Sequence, residues 1–201
     1  MSDTWRVFCA IDLPPDLKQK LADHGSRLRE IAGVKASWSR LDNIHLTVKF
    51  LGDMPIPDIG NLSEAATRAT KSLAPFKVTA EQCGVFPAHG PPRVLWIRIT
   101  DSDGRLAHLH AQLEDECAKA GFAKEVRSFH PHLTIARLRH STNARSLAAA
   151  HRTLNFESAE IEVSELLVIR SELGKEGSKY FVISRHRLGE SEAEPGNTQE
   201  P

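Results

Sequence analysis

Asn43-Ile44-His45-Leu46-Thr47-Val48-Lys49-Phe50-Leu51-Gly52 reads as a strand over 44–51 stopped by glycine, and its central phrase returns as Pro131-His132-Leu133-Thr134-Ile135. Side chains alternate along a strand with a period of two, so His45 and Thr47 share one face while Leu46 and Val48 take the other. His132 and Thr134 oppose Leu133 and Ile135 in the same way. Each copy therefore presents a titratable ring and a hydroxyl from a strand whose reverse side is apolar. Two such strands facing each other across a groove would bring an acid and a base to one substrate atom.

Residues 6–12 form a short apolar strand that runs through Leu13-Pro14-Pro15 into a helix marked by Leu17, Leu21, Leu28 and Ile31. Residues 36–38 are extended, and Ile56, Ile59, Leu62, Ala66 and Leu73 mark a second amphipathic helix. Strands are expected over 76–80 and 94–99, separated by a Gly/Pro-rich loop over 84–92. A third helix carries Leu106, Leu109, Leu113 and Cys117 and closes near Gly121. Residues 129–138 then form a strand, so the second half echoes the first. A short helix over 145–154 is followed by strands over 161–169 and 179–184, joined by the turn Gly174-Lys175-Glu176-Gly177. From Gly189 onward no apolar side chain exceeds alanine, which predicts a disordered tail after a single unit covering 1–188. No regular period runs through the chain, which excludes solenoids and propellers.

The 201 residues with 40% hydrophobic content suffice for one domain, or for two lobes sharing a core. Lys and Arg total 26, as do Asp and Glu, so an anionic partner must be recognised by a local patch and long nonspecific duplex binding is disfavoured. Cys9, Cys83 and Cys117 show no CxxC and no disulfide-framework spacing, which points to a reducing compartment. The first residues lack a secretory pattern and no apolar run spans a bilayer. A soluble, cytoplasmic chain without membrane association is expected.

An unperturbed imidazole titrates near pH ~6.5, so one histidine can accept a proton while a second, held protonated by an anion, donates one. Placed on opposite sides of a phosphate, such a pair suits in-line displacement without a metal, provided donors stabilise the equatorial oxygens. Thr47 and Thr134 are stiff, short donors beside their histidines. Arg137 could grip two phosphate oxygens at once, but its odd offset from His132 puts it on the wrong face unless the strand is bulged or ends there. A lone histidine among apolar residues is more often structural; the matched pair favours function. His130 is read as a supporting residue near the site or a turn residue before Pro131. As chelating pairs, His108 with His110 diverge on a helix, and His130 with His132 lack neighbouring cysteine or acidic ligands. Neither a metal nor another cofactor is expected.

Together, residues 6–14, 43–52 and 129–137 resemble the 2H phosphoesterase superfamily, and within it the LigT/ThpR group of RNA 2',3'-cyclic phosphodiesterases, once described as 2'-5' RNA ligases. Weaker echoes at 84–87, 93–96 and 171–180 extend the likeness over residues 5–187. It implies a bilobal α+β fold in which two antiparallel sheets line a central cleft, helices cover the outer faces and each lobe supplies one motif. It also implies a monomer that opens RNA-terminal or nucleotide 2',3'-cyclic phosphates to 2'-phosphates, with 2'-5' ligation as a possible reverse activity. In that pattern His45 is the general acid, His132 the general base, and Thr47, Thr134 and Arg137 hold the phosphate. Phe8 is the best match to the base-stacking aromatic, with a plain core role as its alternative, whereas Trp38 and Trp96 are read as packing residues. Other 2H substrates, such as 2'-5' oligonucleotides or small cyclic nucleotides, and a noncatalytic RNA-binding module stay open.

Overall fold

In the computed structural model, residues 3–32, 36–138, 143–174 and 177–189 are described. The expected tail beyond Gly189 and the middle of the 174–177 turn lie outside them. Along the chain run β1 (Thr4–Ile11), α1 (Pro15–Ala32), β2 (Ser37–Trp38), β3 (Leu46–Pro55), α2 (Ile59–Thr70), β4 (Phe76–Phe86), β5 (Val94–Thr100), α3 (Arg105–Lys119), β6 (His132–Arg137), α4 (Ala144–Thr153), β7 (Ala159–Val163), β8 (Glu165–Gly174) and β9 (Gly177–Arg187). The fold is α+β. One sheet has the order β3-β1-β8-β9 and the other β2-β6-β5-β4-β7, with every pairing antiparallel.

The two sheets are pseudo-equivalent: β3-β1-β8-β9 matches β6-β5-β4-β7, and β2 covers the β6 edge. Each motif strand follows its partner strand after a helix, β1 to β3 through α1 and β5 to β6 through α3. Helix α1 starts with Pro15 and Asp16, suited to a first turn whose N–H groups have no helical partner, and buries Leu17, Leu21 and Leu28 on one stripe. Helix α3 buries Leu106, Leu109, Leu113 and Cys117. It ends where Gly121 adopts φ 90°, while Phe122 N–H donates to Cys117 O at 2.9 Å and Gly121 N–H donates to Ala118 O at 3.0 Å. α1 packs against α4 and α2 against α3. A single buried cluster runs from Val7 and Leu46 to Leu95 and Leu133, joining both sheets to the helices. No helix among the described residues is long and apolar enough to cross a membrane.

Several boundaries differ from the sequence reading, three of them for a clear physical reason. Gly52 does not stop its strand: at φ 77° it sits in a bulge opposite β1 and β3 continues to Pro55. Residues 84–86 belong to β4 rather than to a loop, because the Trp96 ring lies on Gly84, where a Cβ would sit 2.2 Å from it. The apolar run 161–169 is two strands in different sheets, broken at Ser164, since hydrophobicity alone cannot mark the crossing from one buried strand to the next.

Both motif strands carry an extra residue just after the threonine. Ala10 and Cys9 face Thr47 and Lys49, leaving Val48 unpaired; Trp96 and Leu95 face Thr134 and Ala136, leaving Ile135 unpaired. The bulge in β3 turns Lys49 inward to 3% exposure, where it meets Glu114 of α3 at 2.7 Å and donates to Ala123 O at 3.0 Å. Glu114→Ala should cost roughly 3–5 kcal/mol by leaving a buried ammonium uncompensated, and adding Lys49→Met should recover most of that loss. Urea unfolding of both variants checks this; equal losses would contradict it.

Candidate active site

The bulges decide what faces the cleft. Leu46, Val48, Leu133 and Ile135 are at most 3% exposed on the core side, and His45, Thr47, His132 and Thr134 turn the other way. Past Ile135 the alternation is reset, so Arg137 joins His132 and Thr134 on the cleft face. The equivalent reset on β3 brings Phe50 to the corresponding position. His45, Thr47, Phe50, His132, Thr134 and Arg137 line one cavity of about 690 Å³. Ser39, just after β2, secures the β6 bulge, its N–H donating to Ile135 O at 2.9 Å and its hydroxyl to Thr134 O at 2.8 Å.

The two imidazoles are held alike. His45 Nδ1 lies 2.9 Å from Asn43 O, and His132 Nδ1 lies 2.6 Å from His130 O. A carbonyl can only accept, so Nδ1 carries the hydrogen in both rings and Nε2 is left with its lone pair. Asn43 is itself anchored, its Nδ2 donating to Ser178 O at 2.7 Å. His130 therefore contributes its backbone carbonyl, while its exposed side chain takes no part in that bond.

Aromatic rings back each histidine. Phe8 stacks on His45 at 4.6 Å and meets Tyr180 edge-on at 5.1 Å, whereas Phe86 meets His132 edge-on at 5.1 Å and stacks on Trp96 at 4.7 Å. Phe8 is 3% exposed, with Ala10, Leu167 and Ile169 beside it. A base platform needs an open face, and His45 already covers this one, so the expected stacking role gives way to support of the imidazole. The rim aromatics with open surface are Phe50, 44% exposed with the Arg6 guanidinium 4.7 Å from its centroid, and the part-buried Tyr180. Trp38 also lines the cavity, and Arg29 lies over its ring at 4.6 Å.

Arg6, Arg40 and Arg137 line the cavity with both histidines, and no carboxylate does among the described residues. A chain of zero net charge thus concentrates positive charge where an anion would sit. Arg6, Arg40 and Tyr180 escaped the sequence reading because they come from elements outside the motifs. Burial lowers His45 to about 4, partly offset by its bond to Asn43 and by the nearby Asp12 carboxylate. Burial also lowers His132, opposed by its bond to His130 and reinforced by the Arg137 charge. Both shifts favour the neutral ring. The arrangement can receive an anion on hydroxyl and guanidinium donors between two oriented proton carriers.

The match to the 2'-5' RNA ligase superfamily covers residues 17–175, and the chain belongs to that family. A relative from Methanothermobacter thermautotrophicus, named RNA 2',3'-cyclic phosphodiesterase, is 30% identical over 187 residues, covering 91% of this chain and 98% of its own. A relative of the same name from Aquifex aeolicus is 32% identical over 163 residues, covering 78% and 84%. A Thermus thermophilus structure superposes with a TM-score of 0.74 at 24% identity over 92% of this chain and 98% of that one. E. coli LigT, solved with 3'-AMP, gives 0.72 at 24% identity over 93% and 99%. These two structures match the fold.

Buried neutral histidines make the fold acid-sensitive. His24, like His45, is lowered to about 4, first by burial, whereas an unfolded imidazole titrates near ~6.5. Between those values the unfolded chain binds protons that the native chain does not, so stability falls as pH falls from about 6.5 to about 4, by up to ~1.4 kcal/mol per pH unit for each ring. Urea midpoints measured across that range should drop towards acid; a flat profile would contradict the burial of these rings.

Proposed function

We propose that this chain is a metal-independent RNA 2',3'-cyclic phosphodiesterase that opens a terminal ribose cyclic phosphate to a 2'-phosphate. The observation that carries this reading is the single cavity in which both imidazole–hydroxyl pairs meet three arginines. Near-full-length relatives bearing that activity in their names support the substrate class. His132 Nε2 takes a proton from water as the water oxygen attacks phosphorus. The bond from phosphorus to the 3' oxygen breaks, and His45 gives its proton to that oxygen. Thr47, Thr134 and Arg137 hold the remaining phosphate oxygens as negative charge grows on them.

Local charge favours this division of labour. Asp12 favours the protonated form of His45, although Lys18 opposes it, and Arg137 favours the neutral form of His132. No carboxylate in the described lining holds His45 protonated, so the substrate's own anionic phosphate raises its proton affinity on arrival. An imidazolium formed in this way in a buried setting is a strong donor to the leaving oxygen. A 5'-hydroxyl replacing water would give a 2'-5' linkage by the same path. One chain furnishes both motifs, which fits a monomer, and the free cysteines fit a reducing, cytoplasmic setting.

An oligonucleotide ending in a 2',3'-cyclic phosphate should yield the 2'-phosphate product in the presence of EDTA; no turnover overturns the reading. His45→Ala and His132→Ala should each slow turnover by at least ~100-fold, and unchanged rates would remove their roles. Because the free-protein base is lowered, the acidic limb of kcat/KM should lie below the ordinary imidazole range of about 6.5. A limb at or above that value would point to a different base.

A further inference from the structure

Three side chains that the cleft does not use meet between the outer helices and the five-stranded sheet: His24 of α1, Cys83 of β4 and His151 of α4. His24 Nε2 lies 3.0 Å from His151 Nδ1 and 3.7 Å from Cys83 Sγ, and one donor atom from each residue lies within 4.8 Å of the others. With Zn–N near 2.0–2.1 Å and Zn–S near 2.3 Å, a tetrahedral zinc ion spaces its donors about 3.3–3.6 Å apart. Both separations to His24 stand within a few tenths of an ångström of those values, and the Cys83 and His151 donors lie within 4.8 Å of each other.

Their orientation is also set. His151 Nε2 lies 3.0 Å from Trp96 O and must donate to it, which leaves Nδ1 bare towards His24 and Cys83. A backbone carbonyl holding the far ring nitrogen is the support that metal-ligating histidines use. Cys83 is aimed by a bulge at Gln82, which adopts φ 59° and shifts the β4 register between Glu81 and Cys83. That shift puts Cys83 on the core side, where Ala80 and Val85 also pack. His24 is 4% exposed and His151 fully buried.

We propose that His24, Cys83 and His151 form a buried zinc site of three protein ligands, with a water molecule in the fourth tetrahedral position. In the metal-free chain the His24 Nε2 hydrogen points at His151 Nδ1, and the Cys83 thiol donates to Leu154 O at 3.3 Å. On loading, Cys83 releases its proton to solvent and His24 carries its hydrogen on Nδ1 instead. One Zn–S and two Zn–N bonds form, and one proton leaves per ion. The thiolate cancels one of the ion's two charges, which matters because Arg27 and Arg152 lie near the two rings. The bound ion ties α1, α4 and β4 together and stabilises the native chain by mass action.

The test is a zinc titration of the full chain in competition with a chromophoric chelator, together with cobalt substitution. Wild type should hold one zinc equivalent, and so should His132→Ala, which removes an imidazole from the cleft. Cys83→Ser should lose that equivalent together with the zinc-dependent rise in Tm. Wild type loaded with cobalt should show a thiolate-to-cobalt charge-transfer band. No zinc retained by wild type, or the same equivalent retained by Cys83→Ser, overturns the proposal. If Cys83→Ser does not fold, absence of the cobalt–thiolate band in wild type overturns it equally.

Discussion

A β-strand that alternates strictly cannot put residues i, i+2 and i+5 on one face, yet the cleft needs His132, Thr134 and Arg137 together. The extra residue Ile135 resolves the conflict by burying two successive side chains, Ile135 and Ala136, and returning Arg137 to the open side. Val48 does the same on the other motif strand, with a different use for each side it redirects. Inward, it delivers Lys49 to Glu114 and so fastens β3 to α3. Outward, it delivers Phe50 where the second motif has Arg137. The two halves share a backbone device while their side chains diverge, and the divergence gives one end of the cleft a cation and the other an aromatic ring.

Around that device the chemistry is set by backbone carbonyls and burial. Asn43 O and His130 O fix the same tautomer in both rings, so identical Nε2 atoms are offered to the substrate. Their difference comes from neighbours: Asp12 acts on one ring and Arg137 on the other. The aromatic backing by Phe8 and Phe86 limits rotation of each imidazole and excludes water behind it. Preorganised donors in such a place need little rearrangement as charge develops.

Much of this was legible from residues alone, because alternation of polar and apolar side chains survives in Leu46 and Val48 against His45 and Thr47. The need for a bulge before Arg137 was legible too, since parity forbids the straight strand. The bulges' other products were not. Lys49 looks like an ordinary surface lysine until Val48 drops out of register, and Arg6 and Tyr180 reach the cavity through sheet pairing, Arg40 through the segment after β2. Gly84 read as loop because its meaning lies in the Trp96 ring opposite it. His24, Cys83 and His151 are separated by 59 and 68 positions in the chain, a spacing with no local signature, and meet only because the helices pack over the sheet.

The proposed chemistry requires that His45 and His132 act on one phosphate. A crystal structure with a 2'-phosphorylated nucleotide tests it most directly. A single phosphate should place oxygens within about 2.6–3.2 Å of both Nε2 atoms and of the Thr47 and Thr134 hydroxyls, with the Arg137 guanidinium against it. A phosphate contacting only one imidazole, or seated away from both threonines, would contradict it.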